Sequence, residues 1–395
     1  MWLAILSVAF ALTIAGAVYL LSRFRRFGIV KLIAGERVWL QRLVAATPLL
    51  CFAAYGCFET VNTVIVVLHL AIFWLLADLV TGIAGLVIRR AGKSGKKADD
   101  AAKDAGEIDA SGETKKALFR VYWKGIVVIL LCTVYLGLGW YQAHNVSRTY
   151  YRIETDKELP GGKLRIVQIA DSHIGSTFSG TELAKYMSRI EKEKPDIVVF
   201  TGDFVDDSTT REDMLAACRA LGSIKAKVYF VYGNHDKGYY NSRGYTAKEL
   251  DDALRAEGIV VMEDVVEALN GYYIVGRKDR NEGSRGDGAK ARKSMEELTQ
   301  TLDRNRFIIV LDHQPNDYEA EAAAGADLVL SGHTHGGQLI PLGPIGRWIG
   351  ANDRTYGTET RGDTTFIVTS GISDWEIDFK TGTKSEYVVI DIEQK

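Results

Sequence analysis

Residues 164–173 read LRIVQIADSH, and this stretch decides the fold. Residues 164–170 form an apolar, β-favouring run of strand length. The run stops on Asp171 and His173, two positions apart. The same order of events recurs along the chain. Residues 196–201 lead into Gly202-Asp203-Phe204-Val205-Asp206, and 227–232 into Gly233-Asn234-His235-Asp236. Residues 307–311 lead into Asp312-His313, and 326–330 into Gly332-His333-Thr334-His335-Gly336-Gly337-Gln338. Further β-rich runs occupy 272–275, 366–369 and 387–392, and amphipathic helical stretches lie near 180–194, 211–221, 246–257 and 291–304. Strands alternating with helices predict a layered α/β domain, whose sites gather just beyond the strand ends.

Five of the seven histidines fall in these clusters. Histidine and aspartate are standard nitrogen and oxygen ligands of transition metals. The set is too large for one tetrahedral ion and suits two ions sharing a carboxylate, which activates water for phosphate ester cleavage. On extended backbone, residues two apart point to one side, so Asp171 with His173, and His333 with His335, can each address one ion. Asp203 stands where a bridging ligand is needed. Neighbours point oppositely, so Asn234 can bind an ion while His235 faces the leaving group. Taken singly each cluster has a plain structural reading: Asp203 a helix cap, His313 a hydrogen-bonded strand end. Their conjunction, each after a strand, points to a metal site.

Working outward, the first 141 of the 395 residues are mostly apolar. Uncharged or nearly uncharged runs at 2–22, 43–58, 62–88 and 125–141 read as four transmembrane spans, at about 20 residues per crossing. No basic residue precedes the first, which argues against a secretory signal. The loop 23–42 and the segment after residue 88 are rich in lysine and arginine, whereas the turn near Glu59 has none. Positive loops stay cytoplasmic, so both termini of the membrane region face outward and the chain beyond residue 141 is expected to be extracytoplasmic. The loop 91–117 lacks aromatics and mixes charges densely, which predicts disorder. His69 and Asp78 are nine positions apart, about 900° of helix, and therefore on opposite faces. Residues 142–163 are expected to be a linker and 164–395 the catalytic domain. Cys218 alone lies in that domain, so it makes no internal disulfide. The net charge of -2 offers no basic footprint for nucleic acid.

Taken in order, the clusters resemble the signature of the calcineurin-like metallophosphoesterase superfamily, D-x-H, G-D-x-x-D, G-N-H-D/E, H and G-H-x-H. The resemblance spans roughly 164–392, and the ending GHTHGGQ at 332–338, with several amino-terminal spans, is similar to a bacterial membrane-bound branch. Some of that branch hydrolyse the diphosphate of UDP-2,3-diacylglucosamine. The resemblance implies a four-layer α/β/β/α sandwich with a dinuclear site at one edge of the paired sheets. It implies that Asp171, His173 and His335 hold one ion and Asn234, His313 and His333 the other, with Asp203 bridging. His235 would protonate the leaving oxygen, Asp236 would orient its imidazole, and Asp206 would be structural. Residues 371–382 and 276–290 depart from the pattern and leave the substrate open.

The expected activity is therefore metal-dependent hydrolysis of a phosphate or diphosphate ester, by hydroxide formed on a water shared by two cations about 3.5–4 Å apart. Nitrogen-and-oxygen ligation suits manganese, iron or zinc. The expected partners are the bilayer and a phosphate-ester substrate carried by a lipid or envelope component; no protein partner is predicted. Three other readings compete: a broad cell-surface phosphodiesterase, a non-catalytic metal-binding scaffold, and a transport or sensing protein working through its membrane half. The scaffold reading requires a lost ligand or a substituted His235, and none is lost. The transport reading requires partnered polar groups within the membrane.

Overall fold

The computed structural model describes residues 2–92, 122–238, 243–280 and 291–395. The loop expected to be disordered falls, from residue 93 to 117, outside them. The chain divides into two compact units, Met1–Gly137 and Leu138–Lys395.

The first unit is helical: α1 Trp2–Phe24, α2 Gly28–Ala34, α3 Val38–Tyr55, α4 Thr60–Gly92 and most of α5 Trp123–His144. Four windows are long and apolar enough to cross a bilayer: Ser7–Phe24, Val38–Tyr55, Thr60–Ile88 and Trp123–His144. The helix around Pro48 begins at Val38, earlier than the apolar run at 43–58 suggested. Trp74 is fully buried among the rings of Phe24, Phe27 and Tyr122. Asp78 does not stand alone. It pairs with Arg23 and Lys124, and Tyr19 donates to it at 2.6 Å, so three helices share one carboxylate. His69 lies apart from Asp78. Its ring rests 5.8 Å from that of Tyr135, and its Nδ1 is 2.8 Å from the Ile65 carbonyl.

The second unit holds twelve strands: β1 Ser147–Thr155, β2 Lys163–Ile169, β3 Ile197–Thr201, β4 Lys227–Val231, β5 Val260–Met262, β6 Val265–Ala268, β7 Tyr272–Gly276, β8 Phe307–Leu311, β9 Leu328–Ser331, β10 Gly357–Arg361, β11 Thr364–Val368 and β12 Glu386–Gln394. They form two six-stranded sheets, ordered β1-β12-β2-β3-β4-β5 and β10-β11-β9-β8-β7-β6. Strands β2 to β5 are mutually parallel, as are β7, β8, β9 and β11.

Alternation along the strands builds the layers, because successive side chains point to opposite faces. Leu164 and Ile166 face inward and meet Ile274, Ile309 and Leu330 of the other sheet. Val167 and Ile169 face outward, onto Leu183 and Met187 of α6 Gly180–Glu191 and Met214 of α7 Arg211–Gly222. The outer face of the second sheet packs Ile308, Val310 and Phe366 against Met295 and Tyr318. The result is a four-layer α/β/β/α sandwich. Each fully buried Leu, Ile or Phe contributes about 1.5–3 kcal/mol.

One sequence expectation fails here. Residues 142–163 are no linker: only Asn145 and Val146 separate α5 from β1, which runs parallel to β12 from Ser147↔Glu386 to Thr155↔Gln394. Its residues SRTYYRIET are largely polar because it is an edge strand with one face exposed and the other half-buried. Strands β5, β6 and β10 are also short or half-exposed, and escape a search for apolar runs.

Candidate metal centre

Every sequence motif sits just past the carboxyl end of a parallel strand, so five strand ends from two sheets converge on one edge. The chain turns sharply there. Asp171, His173, Asp203, His333 and His335 all have positive φ, between 36° and 71°. Left-handed backbone is costly for residues with a Cβ and persists where surrounding structure enforces it. Asp171 and His173 therefore do not reach a common point by extended alternation; consecutive kinks aim them.

Glycines make the approach possible. A Cβ on Gly332 would stand 2.5 Å from Asp171 Oδ2, and one on Gly233 would stand 2.2 Å from Asp203 Oδ1. Backbone hydrogen bonds then fix the carboxylates. Asp171 Oδ1 accepts the His333 N–H at 2.9 Å, and Asp203 Oδ1 accepts the His235 N–H at 2.8 Å.

The remaining donor atoms face one another. His173 Nε2 lies 3.2 Å from His335 Nε2, and ligand atoms of Asp171, His173 and His335 group within 4.8 Å. Asp203, His313 and His333 form a second such group. Asp203 Oδ2 belongs to both neighbourhoods, at 3.7 Å from His173 Nε2 and 3.1 Å from His313 Nε2. His313 Nδ1 is 2.8 Å from the Thr201 carbonyl, which fixes its tautomer and leaves Nε2 aimed at Asp203 Oδ2 and, at 3.1 Å, at Asn234 Oδ1. Lone pairs from three buried residues converging on one point repel unless a cation or proton lies among them. Asp171 Oδ2 is buried with no hydrogen-bond partner among the described residues. The donor set thus fits divalent cations.

Proton affinities divide the histidines. Burial opposes charge on His313, but Asp203 overrides it and raises that imidazole, so a proton there would compete with a cation, whereas His333 and His335 are held down. Burial, and then the charge of His313, lowers the His333 imidazole to about 3, and burial holds His335 well below the usual range. Both are neutral at pH 7, as metal binding demands. Burial pushes the Asp171 carboxyl up to about 6. Burial also opposes charge on Asp203, but His313 overrides it and keeps that carboxylate ionised.

The Asp236 expectation is corrected. Its carboxylate does not orient His235. Instead it accepts the N–H groups of Gly233, Asp203, Phe204 and Val205 at 2.7–3.0 Å, and so shapes the loop that presents Asp203. The residue that orients His235 is Asp206, with Oδ1 3.1 Å from His235 Nδ1. Asp206 Oδ2 also lies 3.3 Å from His173 Nδ1. A carboxylate four backbone N–H donors surround has no geometry left for an imidazole; Asp206, three residues along the loop, faces the cleft.

Several participants carry no motif. Trp375 covers the cleft, its ring 5.1 Å from that of His235. Its loop is pinned by Lys380, wholly buried, which pairs with Asp374 at 3.1 Å and donates to the Ser370 and Ser373 carbonyls at 2.8 and 2.9 Å. Gln168 ties the two sheets beneath the site, donating to Thr201 Oγ1 at 3.0 Å and the Ser331 carbonyl at 2.9 Å. A glutamine inside an apolar strand was the available signal.

Residues 164–337 match the model of the calcineurin-like phosphoesterase family. An uncharacterized metallophosphoesterase of Aquifex aeolicus is 33% identical over 193 residues, covering 49% of this chain and 71% of the relative. The uncharacterized metallophosphoesterase YkuE of Bacillus subtilis is 28% identical over 290 residues, covering 70% of this chain and 97% of its own length. A transmembrane protein with metallophosphoesterase domain from Danio rerio is 30% identical over 256 residues, covering 61% of this chain and 54% of the relative.

Proposed function

The chain belongs to the calcineurin-like phosphoesterase family and is a metal-dependent phosphoesterase, and from that premise we propose that it hydrolyses phosphate or diphosphate esters of a lipid or envelope component while anchored in a membrane by its four apolar helices. The observation that carries the hydrolytic reading is Asp203 Oδ2, set between His173 Nε2 and His313 Nε2. A single carboxylate oxygen facing two histidine groups is what two cations sharing a ligand require.

Asp171, His173 and His335 would hold one cation and Asn234, His313 and His333 the other, with Asp203 common to both. Two such ions, manganese, iron or zinc by the ligand chemistry, would supply the charge that lowers the pKa of water and neutralises phosphoryl oxygens. The protein's own part is positioning and proton delivery. Asp206 accepts the proton on His235 Nδ1, so the ring offers a second proton, on Nε2, only as the imidazolium. Burial disfavours the imidazolium, but Asp206 and Asp203 more than offset it and raise the His235 pKa, which keeps an acid ready for the departing oxygen. Asp236 holds the loop carrying Asp203 against the second sheet's histidines.

The membrane part of the reading is supported by the four apolar helices and by the absence of a long tether before β1. Loop charge supports an extracytoplasmic catalytic domain. The test is purified full-length protein, stripped with chelator and reloaded with each metal in turn, assayed on a monoester, a diester and a diphosphate ester. Restored hydrolysis of one class is expected. Metal uptake without turnover on any class would favour the scaffold.

A further inference from the structure

Residues 339–351, LIPLGPIGRWIGA, follow the histidine turn directly and carry Arg347 as their sole charge. They form an open loop with one short helix, Ile345–Trp348. Of the eight large hydrophobic side chains exposed beyond His144 among the described residues, five lie here: Ile340, Leu342, Ile345, Trp348 and Ile349. Trp348 is 74% exposed and Ile349 61%. The loop does not close down onto the core, for a cavity of about 570 Å³ opens beneath Leu339, Pro344 and Trp348. Soluble surfaces rarely concentrate apolar side chains in this way without something to cover them.

The loop also shares a buttress with the end of α5. Ile340 donates its N–H to Thr381 Oγ1 at 3.0 Å, and Thr381 donates its own to the Gln338 carbonyl at 2.8 Å. The adjacent Lys380 N–H reaches the Gly139 carbonyl at 3.0 Å. Gly139 lies in the last turns of an apolar helix, beside the exposed aromatics Trp140 and Tyr141. Tryptophan and tyrosine at a helix end mark the bilayer interface, and the loop repeats that composition with Trp348 and Arg347. One short connection, 380–382, therefore carries an interfacial helix end on one side and an unpartnered apolar loop on the other.

We propose that residues 339–349 insert into the interfacial region of a lipid bilayer, as a membrane contact additional to the helices. Gly336 belongs both to the turn carrying His335 and to the wall of the cavity beneath the loop. Insertion consequently holds the metal-binding edge at the lipid surface. The inference concerns a surface, and its test involves no turnover, so it stands or falls apart from the hydrolytic reading.

The test uses the full-length chain with Cys51, Cys57, Cys132 and Cys218 replaced, reconstituted in phosphatidylcholine–phosphatidylglycerol vesicles. Flotation confirms incorporation, and a chain that does not float with the vesicles overturns the proposal. Trp348→Cys, Ile349→Cys and, on β6 at the edge of the second sheet opposite β10, Val265→Cys are each labelled with an environment-sensitive fluorophore. Interfacial segments bury about 5–10 Å into the headgroup and acyl boundary. Labels at 348 and 349 should shift to shorter wavelength and lose most of their fluorescence to lipids bearing a shallow nitroxide, less to a deep one, while the label at 265 is unaffected. Emission and quenching at both positions like those at 265 overturn the proposal. So does a blue shift that lipid nitroxides fail to quench, which would mean that protein, such as a second copy, covers the loop.

Discussion

At the residue scale the site separates three jobs that look alike in sequence. Asp203, Asp206 and Asp236 are all aspartates within or beside glycine motifs, yet one faces two histidine groups, one faces His235, and one is consumed by backbone N–H donors. His235→Ala should retain metal, as measured by elemental analysis, while kcat on poor leaving groups falls roughly 10²–10⁴-fold. Nitrophenyl esters, whose leaving group needs no proton, should lose less. Asp206→Asn should follow the same pattern more mildly, by roughly 10–100-fold, because it removes an orienting partner. An unchanged kcat on poor leaving groups in Asp206→Asn would contradict its assignment. Asp203→Asn should lose most metal and activity while circular dichroism stays native; full occupancy there would remove the shared-ligand role.

At the element scale, strands carry the candidate ligands and loops aim them. The five turns that carry the motifs follow β2, β3, β4, β8 and β9, and kinked backbone at Asp171, His173 and Asp203 does the aiming. That is a tertiary effect, since nothing in an isolated strand enforces positive φ on an aspartate. The loop bearing Trp375 is fastened differently, by the buried Lys380–Asp374 pair. Lys380→Met leaves Asp374 buried without its counter-charge, and breaking such a pair costs about 3–5 kcal/mol. Thermal or denaturant unfolding should show that loss. Replacing both residues with apolar ones of similar size should recover much of it, and a single variant as stable as the parent would deny the pair its fastening role.

At the scale of the whole molecule, the expectation is that residues beyond His144 lie outside the cytoplasm. In a background without native cysteines, cysteine at 59 or 149 should react with an impermeant thiol reagent in intact cells, and one within 91–117 should not. The reverse pattern would turn the chain over. How much of this was legible beforehand follows from range. Apolar runs at 164–170, 196–201 and 307–311, and the motif after each, are local signals, because a buried strand needs a continuous apolar run and a ligand turn needs glycine at fixed spacing. Helix starts were similarly local: Ser179 and Thr246 cap their helices through Glu182 and Glu249, three residues on. By itself the sequence determined four apolar helices, a layered α/β domain and the histidine and aspartate clusters that meet at its edge. Tertiary structure decided that polar β1 pairs with β12, that Asp206 rather than Asp236 holds His235, and that Lys380 is buried. Those outcomes depend on which distant groups satisfy each backbone N–H and charge, and partners 237 or 239 positions apart, as in Thr149 with Glu386 or Lys395 with Asp156, leave no mark in a local pattern.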